Sequence, residues 1–187
     1  NVWMKEGLFR PRFPGQAAFI VPPLANYSNG PCGFAYDPGT ALSDQFRNFF
    51  FLAQGRKMTA FKVRPKGAAF EMYDERTIPG GGSSTGVAFG PDGALYVTDW
   101  MNGPSDRGRI WKIDSSDGQD NPARTRTSKL LAEGMAGKDE SFLVACLAEP
   151  DFRVRKAAQF ELVRRRKKGP QALLPVARKN ESQLARL

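Results

Sequence analysis

The spacing of hydrophobic residues divides the chain into two parts. Up to about residue 114, short apolar runs alternate with turns rich in Gly, Pro and Asp. This pattern predicts strands at 33–36, 49–54, 59–64, 69–73, 86–89, 94–99 and 109–114. After Thr127 the apolar residues recur at helical spacing, which predicts helices at 128–133, 139–147, 152–166 and 172–179. Asp151 is a predicted helix N-cap.

One phrase of the strand region occurs twice. The run 33–39 (GFAYDPG) returns at 86–92 (GVAFGPD), 53 residues later, and an apolar run and a third strand follow each copy. A period near 50 residues built from short strands and Gly/Pro turns is typical of β-propeller blades. The sequence therefore predicts a β-propeller fragment, with two blades that are antiparallel four-stranded sheets, the second of which lacks an obvious fourth strand in this chain. Two blades cannot close a ring, so we expect the chain to be part of a larger protein.

The net charge of +9 is spread unevenly. Residues 1–120 carry 13 Lys and Arg against 12 Asp and Glu, whereas residues 121–187 carry 15 against 7. This shift in composition predicts a boundary near 115–125. We expect the domains to be the propeller blades at 1–120 and the start of an α-helical solenoid at 127–187.

The residue types that are missing limit the chemistry of the chain. It contains no histidine, which removes the commonest general base, the commonest metal ligand and any haem attachment motif that ends in His. The two cysteines are far apart, and Cys146 fits a small buried apolar residue of a helix. No apolar stretch is long enough to span a membrane, and no leader is seen.

Three stretches resemble a known family. Residues 86–100 (GVAFGPDGALYVTDW), followed by 108–110 (GRI), resemble the last blade of glucose/sorbosone dehydrogenase-like propellers, and 28–34 (SNGPCGF) resembles the start of the preceding blade. Residues 149–159 (EPDFRVRKAAQ) look like a HEAT repeat. The order of the two parts, a propeller followed by HEAT repeats, is similar to that of bacterial membrane-bound dehydrogenase and PVC-type haem-binding CxxCH proteins. The resemblance covers roughly residues 1–178.

The resemblance implies a six-bladed ring and a periplasmic or secreted location. Its enzymatic relatives oxidise a CH–OH group of a sugar with pyrroloquinoline quinone (PQQ) and calcium, using a histidine base. The chain would then be an inactive segment whose base and haem lie outside it. These dehydrogenases place arginines before the Gly-Pro-Asp-Gly strand, where this chain has Ser83 and Thr85. The alternative is a non-enzymatic scaffold that binds carbohydrate or protein, with a protein partner for the helices.

Propeller geometry also suggests where a ligand would bind. The loops that lead into the innermost strands converge on the mouth of the channel. The predicted cofactor- or ligand-binding residues are therefore Tyr27, Ser28, Asn29, Ser83, Ser84 and Thr85, whose polar groups could bind a sugar or a quinone carboxylate. The other interpretation is that 80–84 is only a crossing loop. No catalytic residue and no metal ligand is predicted in this chain.

Other prominent residues have a structural explanation beside a functional one. Asp99 and Arg109 could act on a ligand or could hold their loop by an ion pair or turn hydrogen bonds. Trp100 and Trp111 are expected to pack between blades rather than to stack on a sugar. The basic run 164–168 is expected to complement a helix C-terminus. Because it has no interleaved aromatic residues, no nucleic-acid partner is expected.

Overall fold

The computed structural model describes residues 5–7, 10, 12–14, 24, 30–67, 69–80, 82–100, 107–165, 168–179 and 182–186. Its strands form two antiparallel sheets in which neighbours in sequence are neighbours in space. The first sheet contains β1 (Gly33–Tyr36), β2 (Phe50–Gln54), β3 (Lys57–Lys66) and β4 (Ala69–Ile78). The second contains β5 (Ser84–Phe89), β6 (Leu95–Asp99) and β7 (Arg109–Ile113). Single turns of 3-10 helix lie at Asp44–Phe46 and Ser116–Gly118.

Five helices follow the sheets in the described part of the chain. They are α1 (Pro122–Glu133), α2 (Glu140–Cys146), α3 (Phe152–Arg164), α4 (Lys168–Lys179) and α5 (Gln183–Arg186). The predicted N-cap is confirmed, because the Asp151 carboxylate accepts a hydrogen bond from the Arg153 amide at 2.9 Å. None of these helices combines the length and apolar character needed to cross a bilayer.

Strand alternation sends one face of each sheet into a single apolar core. Phe51 and Ala53 of β2 are fully buried, as are Leu95 and Val97 of β6. This core consists of Leu42, Phe49, Phe51, Met58, Ala60, Ile78, Leu95 and Val97. Both sheets therefore depend on each other for burial of their apolar surface.

The two sheets touch through the strands that carry the repeated phrase. A Cβ atom on Gly33 of β1 would lie 2.7 Å from the Cα atom of Gly86 of β5, so glycine permits this close approach. Beside this contact, Gly55 and Ser84 exchange two backbone hydrogen bonds, at 3.1 and 2.6 Å. The two copies of the phrase therefore lie against each other.

The helices have a core of their own. It consists of Leu130, Met135, Leu143, Cys146, Leu147, Val154, Ala158, Leu162 and Val176. Cys146 is buried as predicted, and burial raises the pKa of its thiol. Spacings of three and four residues separate Leu143 from Cys146 and Leu147, and Val154, Ala158 and Leu162 are each four apart, as the helical prediction in this region requires.

The helices also dock on the sheets, at the turns that end the two copies of the phrase. The Phe152 amide donates to the carbonyl oxygen of Pro38 at 2.8 Å. The Arg153 guanidinium donates to the carbonyl oxygen of Gly90 at 2.7 Å, and the Thr40 hydroxyl donates to the Asp151 carboxylate at 2.7 Å. Asp151 is fully buried, so this contact is part of the interior.

The predicted fold class is wrong, although the strands lie close to the predicted positions. A propeller fragment followed by a HEAT-like repeat requires four-stranded blades and a separate helical stack. The second sheet has three strands in the described residues, and the helices dock back on both sheets. The structure is a small mixed α/β domain. A repeated strand and turn pattern determines local structure, whereas the arrangement of sheets and helices depends on contacts between distant residues.

The change from strands to helices lies where the composition changes. β7 ends at Ile113 and α1 begins at Pro122. The division into domains at 1–120 and 127–187 stays a prediction.

Candidate functional site

The structure gives the described members of the predicted site a role in joining strands. Ser84 is fully buried and forms the backbone bridge to Gly55. The Thr85 hydroxyl lies 3.1 Å from the hydroxyl of Thr98 on the neighbouring strand β6. The Ser83 amide donates to the Asp99 carboxylate at 2.7 Å. Tyr27, Ser28 and Asn29 lie outside the described residues.

Asp99 organises the loop that precedes β5. Its carboxylate accepts hydrogen bonds from the backbone amides of Gly82 and Ser83, at 3.0 and 2.7 Å, and from the Trp111 indole at 2.9 Å. Asp99 is only 2% exposed and is the register partner of Arg109. Turn hydrogen bonds are therefore its structural role. Trp100 is 74% exposed, so the prediction that it packs between blades is wrong.

The residues of this loop do not fit a quinone with several carboxylates. Such a cofactor needs positive partners, and the loop offers the neutral side chains of Ser83 and Thr85. The charged group bonded to the loop is the Asp99 carboxylate, which repels an anion. For calcium, no cluster of three or more acidic, His or Cys residues suited to a metal ion occurs in the described ranges.

A different site lies where the sheets meet the helices. A cleft of about 800 Å³, called the junction cleft below, separates the turn after β1 from the starts of α1 and α3. Its volume lies within the range of small-molecule sites. Its polar side chains are Tyr36, Asp37, Thr40, Arg47, Asn48, Asn121 and Arg155, and its apolar lining includes Phe152 and Leu184.

Asp37 builds one wall of the junction cleft. Its buried carboxylate accepts from the amides of Gly39 and Asn48, at 3.1 and 2.9 Å, and from the Arg47 guanidinium at 3.5 Å. Gly39 has a φ of 116°, which favours glycine, and Asn48 has a φ of 63°, which asparagine tolerates better than most residues. The turn therefore holds Arg47 and Asn48 in place at the cleft.

Tyr36 adds a hydroxyl group to the same wall. The hydroxyl donates to the Asn48 side-chain carbonyl oxygen at 3.2 Å. Burial, and to a lesser extent the negative charge of Asp37, raises the pKa of Tyr36 above its ordinary value. The hydroxyl is therefore neutral at physiological pH and can exchange its hydrogen bond with Asn48 for one with a ligand.

The helices form the opposite wall. Asn121 is the N-cap of α1, and its side-chain oxygen accepts from the Ala123 amide at 2.9 Å. Arg155 donates to the carbonyl oxygens of Glu149 and Pro150 at 2.7 and 2.8 Å. Burial lowers the pKa of Arg155. Phe152 is partly exposed and supplies an aromatic surface between these polar groups.

A second cleft of about 760 Å³ lies between β7 and α1, and its charges are already paired. The Arg124 guanidinium makes two 2.8 Å hydrogen bonds to the Asp114 carboxylate, and Lys112 lies 2.8 Å from the Asp92 carboxylate. Burial of Arg124 makes the first pair part of the interior. The second cleft is therefore a weaker candidate for a ligand site.

Sequence reasoning missed the junction cleft. It identified Tyr36 and Asp37 only as the end of a strand and a turn, and it did not single out Arg47, Asn121 or Arg155. The local signals were the Asp-Pro-Gly turn at 37–39 and the N-cap at Asp151, and neither indicates that the two segments meet. Comparison with family models, curated proteins and solved structures gave no match to the chain.

Proposed function

We propose that the chain binds a ligand of the carbohydrate class in the junction cleft and does not itself catalyse a reaction. One observation carries the proposal: hydroxyl, amide and guanidinium groups from the sheet and from the helices line one cleft around the ring of Phe152. A sugar presents hydroxyl groups at the edge of its ring and C–H groups on its faces. Convergent polar groups beside an aromatic surface suit both.

The chemistry of the cleft supports binding rather than catalysis. Asp37 is the only carboxylate among the described residues that line it. Both of its oxygens accept hydrogen bonds that hold the turn, so Asp37 is not poised as a base. The chain also contains no histidine.

The resemblance to glucose/sorbosone dehydrogenase-like proteins is compatible with this proposal in one respect, the carbohydrate ligand. Oxidation of a sugar CH–OH group would need a base and an electron acceptor from outside this chain. In that case the chain contributes substrate binding to a larger protein. The periplasmic or secreted location stays a prediction from the resemblance.

The test compares two tyrosines of the first sheet. Tyr36→Phe removes one hydroxyl that lines the cleft, and Tyr73→Phe removes a hydroxyl that does not line it. Both side chains are partly exposed, at 40% and 37%, so both variants should fold. We expect binding of glucose, maltose or glucuronate in calorimetric or NMR titrations, and a loss of about fivefold to tenfold in affinity for Tyr36→Phe alone, as expected for one hydrogen bond.

Two results would contradict the proposal. If none of the three sugars shifts the resonances of residues around the cleft, the ligand class is wrong. If Tyr36→Phe and Tyr73→Phe bind sugar as the parent does, the sugar binds elsewhere on the chain.

A further inference from the structure

A separate groove runs along the helices. It has a volume of about 450 Å³ and lies between α3, α4 and α5, with an apolar lining of Leu147, Leu173, Val176, Ala177, Leu184 and Ala185. We call it the helical groove. It borders the junction cleft and shares Phe152, Arg155 and Leu184 with it.

The charged residues that line the helical groove are all cations. They are Arg155, Lys156 and Arg186, and no carboxylate lines the groove among the described residues. Two acidic side chains in neighbouring parts of the chain, those of Glu161 and Glu149, are paired with arginines. Glu161 lies 2.8 Å from Arg164 and 3.1 Å from Arg165, and Glu149 lies 2.7 Å from Arg126. The groove therefore has a positive rim around an apolar interior.

The same helices carry exposed apolar side chains outside the groove lining. Phe160 and Val163 of α3 are 60% and 52% exposed, and Leu174 of α4 is 54% exposed. The Lys156 ammonium lies 5.4 Å from the centre of the Phe160 ring, so Phe160 lies beside a cation of the groove rim. Large exposed apolar groups next to a groove indicate an interaction surface.

We propose that the helical groove docks an acidic amphipathic segment of a partner protein. The apolar side chains of that segment would enter the groove, and its carboxylates would face Lys156 and Arg186. The choice of occupant rests on charge complementarity between this rim and a carboxylate-bearing segment. A membrane surface fits less well, because a flat bilayer cannot enter a concave groove.

The experiment uses the full chain and synthetic peptides of roughly 15 residues, about four helical turns. The acidic peptide has Leu at helical spacing and Glu elsewhere; a second peptide has Lys for Glu, and a third has Ser for Leu. Fluorescence anisotropy should show binding of the first peptide only. Vesicles of phosphatidylcholine mixed with phosphatidylserine test the membrane alternative.

A matched pair of charge reversals locates the binding. Lys156→Glu changes the rim of the groove, whereas Lys129→Glu makes the same change at an exposed position of α1 that does not line it. Lys156 is also exposed, so its variant should fold. We expect Lys156→Glu to lower the affinity for the acidic peptide by about fivefold or more, and Lys129→Glu to change that affinity by less than about twofold.

Several outcomes would overturn the inference. No binding of the acidic peptide, or equal binding of the Ser-for-Leu peptide, removes the groove as the docking site. If both charge reversals lower the peptide affinity equally, the peptide is attracted by the overall positive charge of the chain and not by the groove. Binding of the vesicles without binding of the peptide indicates a membrane surface instead. None of these variants changes a residue of the junction cleft, so failure here leaves the carbohydrate proposal standing.

Discussion

At the scale of single residues, Asp151 connects the two halves of the molecule. Its fully buried carboxylate caps α3, accepts from the Thr40 hydroxyl at 2.7 Å and makes two 2.9 Å hydrogen bonds to the Arg153 guanidinium. Arg153 in turn donates to the carbonyl oxygen of Gly90 beyond β5. The sequence predicted the cap, because Asp followed by an apolar helical period is a local signal. The two distant partners could not be predicted from it.

Replacing Asp151 should therefore destabilise the whole molecule. Asp151→Ala leaves the Arg153 guanidinium and the Thr40 hydroxyl without their buried acceptor, and we expect a loss of about 3–5 kcal/mol in the free energy of unfolding. Urea denaturation followed by circular dichroism measures this change. The control is Asp44→Ala, whose side chain is 90% exposed and whose loss should cost less than about 1 kcal/mol. Similar losses in the two variants would contradict the connecting role of Asp151.

At the scale of elements, the two copies of the repeated phrase contact each other in the fold. β1 and β5 each carry a glycine at the same place in the phrase, and these are Gly33 and Gly86, which face each other between the sheets. The strands could be predicted from alternation and turn residues. That the equivalent glycines meet could not, since it depends on how the sheets pack.

A methyl group at this contact should push the sheets apart. Gly33→Ala would place its Cβ atom 2.7 Å from the Gly86 backbone, and we expect it to cost about 1–3 kcal/mol of stability. Gly82→Ala is the matched control, because a Cβ atom there meets nothing within 4 Å. Thermal unfolding of both variants tests this expectation. A Gly33→Ala protein as stable as Gly82→Ala would show that the two strands separate without cost.

At the C-terminal end of α3, the arginines of the basic run make hydrogen bonds to nearby groups of the fold. The Arg164 and Arg165 guanidinium groups make hydrogen bonds to the Glu161 carboxylate at 2.9 and 3.1 Å, and Arg165 also donates to the carbonyl oxygen of Lys138 at 2.6 Å. These hydrogen bonds, led by that of Arg164, lower the pKa of Glu161. The arginines therefore act at a helix end. The expectation of no nucleic-acid partner stays a prediction.

At the scale of the whole molecule, many carboxylates have pKa values below their ordinary range. For Asp114 and Asp92, burial raises the pKa, but hydrogen bonds outweigh it, chiefly those from Arg124 to Asp114 and from Lys112 to Asp92. A carboxyl whose pKa is lower in the folded state stabilises the fold above its unfolded pKa. This contribution is lost as the pH falls through the folded pKa.

We therefore expect acid to destabilise the fold. The free energy of unfolding should change little between about pH 7 and pH 5 and should fall below about pH 4, where unfolded Asp and Glu begin to bind protons. Asp114→Asn should reduce this dependence, since it removes one of the carboxyls with a lowered pKa. Urea midpoints measured at several pH values provide the test. A stability that rises on acidification would contradict it.

The sequence by itself determined the strands, the helices, the burial of Cys146 and the N-cap at Asp151, because these depend on neighbours within a few residues. It did not determine the fold class, and it did not single out the residues that meet in the junction cleft. Ser83, Ser84 and Thr85 looked like ligand groups but serve strand pairing. The docking of the helices on the turn after β1 brings together the side chains that line the junction cleft, among them Tyr36, Arg47, Asn121 and Arg155. That docking depends on buried hydrogen bonds between residues more than a hundred positions apart, such as Thr40 and Asp151, which no local pattern encodes.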